Sequence, residues 1–475
     1  ECLVGSEMCI RDRVWTGTAR EPNFYNGVQK ERVFENAFLE YGCMKSMTAP
    51  LNRKMYFLTD PIEDRAKDWL DYKINYQATF AAQLMYPMVD TYEVMPWPDR
   101  IYQGLYRIAG TDQKERIPRS YSTQMQTMVN TLNDIRTSDK KITGTQGIGV
   151  LMANSLMFQR FPNHNGYDDP QFSSFYGQTL PLLKRGIPVE LVHMENTPFK
   201  ETFKGLHILV MSYSNMKPMK PEYHNYLADW VKKGGILIYC GEDIDPYQTV
   251  LEWWNTDGNE YKAPSEHLFE KMNLSRNPGE GTYRYGKGTV IVMREDPKHF
   301  VLKAGNDQKY FETIASAYQK KIGKEIETKN SFIVERGPYT IAAVMDESVS
   351  KEPLTLSGLY IDLFDKDLPV LTSKQIQPGE QGYLYDLNKV SGKIKAKVLC
   401  GASRIYDEKV SKQSYSFVAK SPINTTNVSR VLLPRKPEKI RVNGKEEQPE
   451  WDESSKTLLL SFENDPAGVN VSIEW

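Results

Sequence analysis

The hydrophobic period changes once along this 475-residue chain, and that change limits the fold more than any other feature. Up to about residue 328, short apolar runs alternate with stretches whose apolar residues recur every three or four positions. From residue 331 onward they recur every second position. The first pattern predicts parallel strands joined by helices, and the second predicts antiparallel sheets.

Within the first pattern two segments separate. Residues 14–140 read as three strand–helix units. A strand at 14–19 contains Trp15, and a helix follows at 30–45 with Val33, Phe34, Ala37, Phe38 and Tyr41 on one stripe. A strand at 54–59 ends in the acidic loop Asp60, Pro61, Ile62, Glu63, Asp64, and a helix spans 66–85. A strand at 89–95 ends at Pro96, Trp97 and Pro98, and a helix at 120–135 closes the segment. Three units match the last three of a (β/α)8 barrel. Residues 145–328 predict a flavodoxin-like, doubly wound α/β domain, with strands at 148–153, 188–192, 206–212, 235–240 and 288–292. Its helix at 221–233 has Pro221 at the start and Gly234-Gly235 past the end, the usual asymmetry of helix termini. Residues 331–475 predict a β-sandwich region, one sandwich or two small ones.

Residues 1–13 carry neither period. They resemble a peptide that recurs in translated metagenomic adaptor reads, which makes them a non-native leader and implies that the natural, bacterial chain extends upstream.

Composition mostly excludes. A net charge of −1 gives no footing for nucleic acid or an anionic membrane surface. No apolar run approaches the ~20 residues of a membrane-spanning helix. The five cysteines form no C-x-x-C pair and the six histidines no H-x-x-x-H pair, so neither metal nor other cofactor is expected. Aromatics reach 11%, which suits sugar stacking and β-structure equally.

The order of parts, with the stretches 148–155, 234–243 and 336–343, resembles the β-galactosidases of glycoside hydrolase family 42. The resemblance implies a barrel, a glutamine-amidotransferase-like domain that mediates trimerisation, and a terminal sandwich. It implies a retaining glycosidase with an oligosaccharide substrate. The alternative on the same scaffold is a non-catalytic, oligomerising carbohydrate-binding protein.

Glycoside hydrolysis uses two carboxylic acids, and barrels place catalytic groups at the C-terminal ends of strands. Two places qualify here. Glu93 stands in an otherwise apolar strand just before Trp97 and Arg100. Asp60 and Glu63 follow the preceding strand. The family pattern puts the nucleophile on strand seven and the acid/base on strand four. If the strand at 89–95 is the eighth, Asp60 or Glu63 is the nucleophile; if a strand hides between Arg100 and Gly149, Glu93 is. The acid/base then lies upstream, and the fragment alone is inactive. Trp97, Arg100, Asp64 and Trp15 are the expected substrate contacts. Folding alone offers another reading, with the acidic loop capping the next helix and Glu93 ion-paired to Arg100.

A third class, amidotransferase-like or protease-like catalysis in the α/β segment, requires Cys240 or Ser214 beside His207 or His224. Ile238 and Glu242 occupy the positions where a nucleophile elbow needs glycine, which argues against it. The acidic run from Glu242 to Asp245 reads as a capping loop or a ligand contact, and Trp253-Trp254 as core or interface.

Overall fold

The computed structural model describes residues 18–51, 53–62, 67–156, 167–390 and 395–475. The molecule mixes α and β structure throughout and ends in antiparallel strands.

Of the strand expected at 14–19, residues 14–17 lie outside the described residues. Thr18 and Ala19 belong to a single 3-10 turn instead, Thr18–Arg20. Arg20 fixes that turn: it is buried and ion-paired to Glu31 at 2.9 Å and Asp71 at 2.5 Å. A hairpin follows, β1 (Asn23–Tyr25) with β2 (Val28–Lys30). Its two turn residues, Asn26 and Gly27, both have positive φ, as the tightest hairpin turn requires. Helix α1 (Val33–Thr48) therefore starts later than the periodicity implies.

Strand β3 (Phe57–Thr59), helix α2 (Trp69–Leu84) and strand β4 (Tyr92–Val94) form a parallel unit in which Leu58 is paired with Glu93. Asp68 starts α2 by accepting the Asp71 amide at 2.8 Å. Next come α3 (Pro98–Gln103), the two-residue hairpin strands β5 (Tyr106–Arg107) and β6 (Lys114–Glu115), and α4 (Arg119–Thr131).

The α/β segment contains β7 (Ile148–Met152), α5 (Ser173–Leu183), β8 (Glu190–His193), β9 (Ile208–Met211), α6 (Tyr223–Lys232) and β10 (Ile236–Cys240). It continues with α7 (Pro264–Lys271), β11 (Gly281–Tyr285), β12 (Gly288–Met293), α8 (His299–Leu302) and α9 (Gln308–Ile322). The sheet order is β11-β12-β10-β9-β7-β8. Only β11 runs antiparallel, and the parallel five have the 2-1-3-4-5 order of flavodoxin-like sheets. The β11–β12 hairpin replaces the single strand expected at 288–292.

The β-rich tail divides in two. Strands β13 (Ser331–Arg336), β14 (Tyr339–Val344), β15 (Leu354–Asp362), β16 (Val370–Ile376) and β17 (Gln381–Asp386) make one antiparallel sheet. One face packs on α2, with the Tyr383 and Phe80 rings 5.4 Å apart. The other face carries a small cluster around Ala342, Val344 and Ile376. One face of this sheet thus lies on the helices, and the other holds its own apolar cluster. Two facing sheets follow it. One contains β18 (Lys397–Gly401), β21 (Thr426–Leu432), β24 (Glu450–Asp452) and β25 (Thr457–Glu463). The other contains β19 (Arg404–Val410), β20 (Ser414–Lys420), β22 (Lys439–Val442), β23 (Lys445–Glu447) and β26 (Val469–Glu474). Between them lies a separate core that includes Phe417, Val431, Leu458 and Ile473. The larger core runs continuously from Ala19 through the α/β sheet and β17 to Leu399 of β18 and Val428 of β21.

Candidate active site

Side chains alternate along β3. The Phe57 ring lies 4.5 Å from Tyr41 of α1, and the Thr59 hydroxyl is 3.5 Å from that of Tyr76 on α2. Phe57 and Thr59 therefore face the helices, while Leu58 and Asp60 face the opposite side. Parallel pairing aligns Leu58 with Glu93, and the bond from the Met95 amide to the Thr59 carbonyl, 2.9 Å, carries the ladder on to Asp60. Asp60 and Glu93 thus share one face at the C-terminal end of two adjacent strands. Strand spacing and rise put their Cα atoms roughly 8 Å apart.

The surroundings of the two carboxylates differ. Asp60 is 6% exposed, and its Oδ1 accepts the Ile62 amide at 2.9 Å. The neighbouring Pro61 carbonyl accepts from the Tyr121 hydroxyl at 2.9 Å, which pins the loop to α4. Glu93 is half-buried. Trp97 lies between Pro96 and Pro98 at the start of α3 and is 71% exposed. Arg100, half-buried, is in the same short helix, and its carbonyl accepts from Tyr106 at 2.7 Å. Glu63, Asp64 and Trp15 lie outside the described residues. Among the described residues after β4 and before β7, the only strands are the short β5 and β6, which pair with each other. No strand extends the β3–β4 pair beyond β4 there.

The approach to β4 is held by a residue far away in sequence. Arg336, 2% exposed, donates to the carbonyls of Val89 at 2.7 Å, Arg136 at 3.0 Å, Tyr86 at 3.3 Å and Pro87 at 3.4 Å, and to the Tyr92 hydroxyl at 2.7 Å.

Sequence reading missed a groove of about 600 Å3 beside the same strand end. Tyr92, Pro96 and Tyr102 line one wall, and Arg404, Tyr406 and Lys420 line the other. No local signal marks these residues, because the walls come from segments about 300 positions apart that meet only in the folded chain.

Among the described residues of the α/β segment, neither Cys240 nor Ser214 stands in the geometry of an activated nucleophile. The Cys240 sulfur lies 3.9 Å from that of Met293, and burial pushes its thiol well above the usual range. Ser214 donates to Asp296 at 2.6 Å. His224 is engaged by Tyr213 at 2.5 Å and by His267 at 2.8 Å. Among the described residues, His207 makes no hydrogen bond to Cys240 or Ser214. The acidic run after β10 is bonded internally: Asp245 pairs with Lys217 at 2.8 Å, and Asp243 with Arg294 at 2.9 Å. Trp254 is buried and donates to the Gln248 carbonyl, so its role is packing. Among the described residues, no group of His, Cys, Asp or Glu could hold a metal ion, and no helix is long and apolar enough to cross a membrane.

No family model and no curated protein matches the chain. Among solved structures it is similar to a GH42 β-galactosidase from G. stearothermophilus, at 10% identity and a TM-score of 0.42, over 74% of this chain. It is also similar to a β-galactosidase from Bacillus circulans sp. alkalophilus, at 11% identity and a TM-score of 0.42, over 74% of this chain. The α-L-fucosidase isoenzyme 2 from Paenibacillus thiaminolyticus is similar at 9% identity and a TM-score of 0.34, over 93% of this chain and 63% of that one. The chain spans 57% and 58% of the two β-galactosidases.

Proposed function

We propose that this chain belongs to a retaining glycoside hydrolase of oligosaccharides, with β3, β4 and their helices forming the C-terminal part of a (β/α)8 barrel. The observation that carries this reading is the shared face of Asp60 and Glu93 at the ends of neighbouring parallel strands, where barrels keep their chemistry. Because β4 is the last strand of that pair, Asp60 takes the nucleophile position, with Glu63 beside it in the chain and Glu93 orienting the sugar. The Asp60 carboxylate would bond to the anomeric carbon as the glycosidic oxygen leaves with the bonding electrons, and water would later cleave the ester. Trp97 offers a ring face to a pyranose, and Arg100 a donor to its hydroxyls; Asp64 and Trp15 are the further contacts. The α/β segment would serve trimerisation, which light scattering reads directly.

The test uses a β-galactoside with fluorine beside the anomeric carbon and a dinitrophenolate leaving group. That group departs without a protonated acid, so labelling needs the nucleophile alone. Peptide mass spectrometry should find the fluoroglycosyl ester on Asp60. An ester on Glu93 would keep the glycosidase and exchange the two roles. Absence of label from Asp60, Glu63 and Glu93 alike rejects the reading.

One contrast favours a second reading, a carbohydrate-binding scaffold without turnover: Asp60 is buried, whereas Trp97 is open to solvent. That reading predicts no ester, together with oligosaccharide binding that Asp60→Asn leaves intact and Trp97→Ala removes.

A further inference from the structure

At the opposite end of the strands from Asp60 and Glu93, the entries to β7, β8 and β9 meet the turn that precedes β4 and enclose a pocket of about 330 Å3. Glycine makes this closure possible. A Cβ on Gly147, whose φ is +69°, would stand 2.5 Å from the Gly205 carbonyl, so a larger residue would push the two strand entries apart. The floor is apolar, built from Phe38, Tyr86, Val189, Leu191 and Leu206. The rim carries Lys45, Lys140, Lys141 and Lys204, against Glu190 and Asp139.

The charges do not balance locally. Lys45 is ion-paired to Glu190 at 2.8 Å, and those two cancel. Lys140, Lys141 and Lys204 make no ion pair among the described residues and face only Asp139 across the rim, leaving two positive charges in excess. The neighbouring His207 reports the same field: burial, then the charges of Lys321 and Lys141, hold its imidazole below the usual range. A phosphate monoester carries close to two negative charges at neutral pH, and lysine binds phosphate as a point charge. The volume is that of a small-ligand site, and the apolar floor suits the carbon face of a compact ring.

We propose that this pocket binds a sugar phosphate, at a site separate from the candidate catalytic end. The inference does not depend on the glycosidase reading.

The test is calorimetric titration of the full chain with glucose 6-phosphate, inorganic phosphate, glucuronate and glucose, at low and moderate salt. Glucose 6-phosphate should bind most tightly and weaken with salt. Inorganic phosphate and glucuronate should bind less well, and glucose not measurably. The triple variant Lys140→Gln, Lys141→Gln, Lys204→Gln should lose about tenfold or more in affinity while keeping its unliganded melting temperature, because all three side chains are exposed. Lys204→Glu alone should weaken binding in the same direction and serves if the triple variant folds poorly. Equal affinity for inorganic phosphate and glucose 6-phosphate would overturn the sugar-phosphate assignment. Wild-type affinity in both charge variants would overturn the site.

Discussion

The Lys184 ammonium, fully buried at the end of α5, lies 2.7 Å from Asp346 in the turn after β14. Glu35 of α1 bonds its other side. One cation of the α/β segment thus joins carboxylates from both flanking segments. Lys30 and Arg32, from the hairpin and the residue before α1, close the network onto Asp346 and Glu347. Burial alone would raise the Asp346 carboxyl, but Lys184 and Lys30 outweigh it and hold it at about 2. Stability from this pair is therefore present above the ordinary Asp range and is lost as pH falls toward 2.

Lys184→Met should be strongly destabilising. It keeps an unbranched side chain one atom shorter but leaves Glu35 buried without its cation, a loss of about 3–5 kcal/mol for a broken buried pair. Adding Glu35→Gln should recover part of that loss, because the stranded charge is then gone. Urea unfolding of the single and double variants measures both effects. A Lys184→Met protein within 1 kcal/mol of wild type, on the order of an exposed pair, would show that the network contributes little.

Glu40 on α1 gives the opposite pH response. Burial pushes its carboxyl up to about 7, against a smaller lowering by the Thr18 hydroxyl, and among the described residues its Oε2 has no hydrogen-bond partner. The folded state then holds a proton that the unfolded chain releases near pH 4.5. Its contribution is full below that value and is lost as pH rises through about 7. Glu40→Gln should be nearly neutral at pH ~5 and stabilising at pH ~8, by on the order of 1–3 kcal/mol. Melting temperatures at the two pH values decide this, and equal shifts at both would refute it.

Arg336→Lys should act as a disruptive change. The guanidinium presents donors in a fixed fork to several backbone carbonyls at once, and an ammonium has three donors and no plane. Carbonyls left bare in a buried turn cost about 1–3 kcal/mol each. Faster amide exchange should appear first in residues 84–94, ahead of the α/β sheet, because these carbonyls set the path into β4. Uniform exchange across the protein would mean that Arg336 supports the fold generally.

This residue also shows where sequence reading stops. The stretch from Arg336 to Ala343 is visible as part of a resemblance, but the partners of Arg336 are mostly backbone carbonyls 200–250 positions earlier, which no side-chain pattern encodes. Strands β7, β9 and β10 are legible because each is an apolar run between turn signals, buried on both faces. The Asn26-Gly27 hairpin carries an equally strong local signal, but its strands are only three residues long, too short for alternation to register. At the candidate site, the types of Asp60, Glu93 and Trp97 and their places at strand ends can be read from the chain. Their common face cannot: it depends on Leu58 aligning with Glu93, and a one-residue slip would turn the two carboxylates apart. The groove wall of Arg404 and Tyr406 is set entirely by how the last two sheets dock.

The His224–His267 pair should make the α/β segment acid-sensitive. Their Nδ1 atoms are 2.8 Å apart, so one must donate and the other accept, and both rings cannot carry a second proton. Burial, followed by the charge of Lys271, holds His267 at about 4; burial, then His267 and Lys271, holds His224 well below the usual imidazole range. Both values are depressed, so the stability they confer is present above the ordinary imidazole value of 6.5 and is lost as pH falls through about 4. Around the pair stand Tyr213, Tyr261 and Trp253, whose ring lies edge-on to both imidazoles at 5.7 and 5.2 Å. Trp253 emission should therefore shift on acidification between pH 6.5 and 4. In His267→Gln the neutral amide keeps a donor and an acceptor beside His224, so that shift should shrink even if the variant is less stable overall. An unchanged acid transition in the variant would place the trigger elsewhere, with buried His193, also held at about 4 by burial, as the next group to replace.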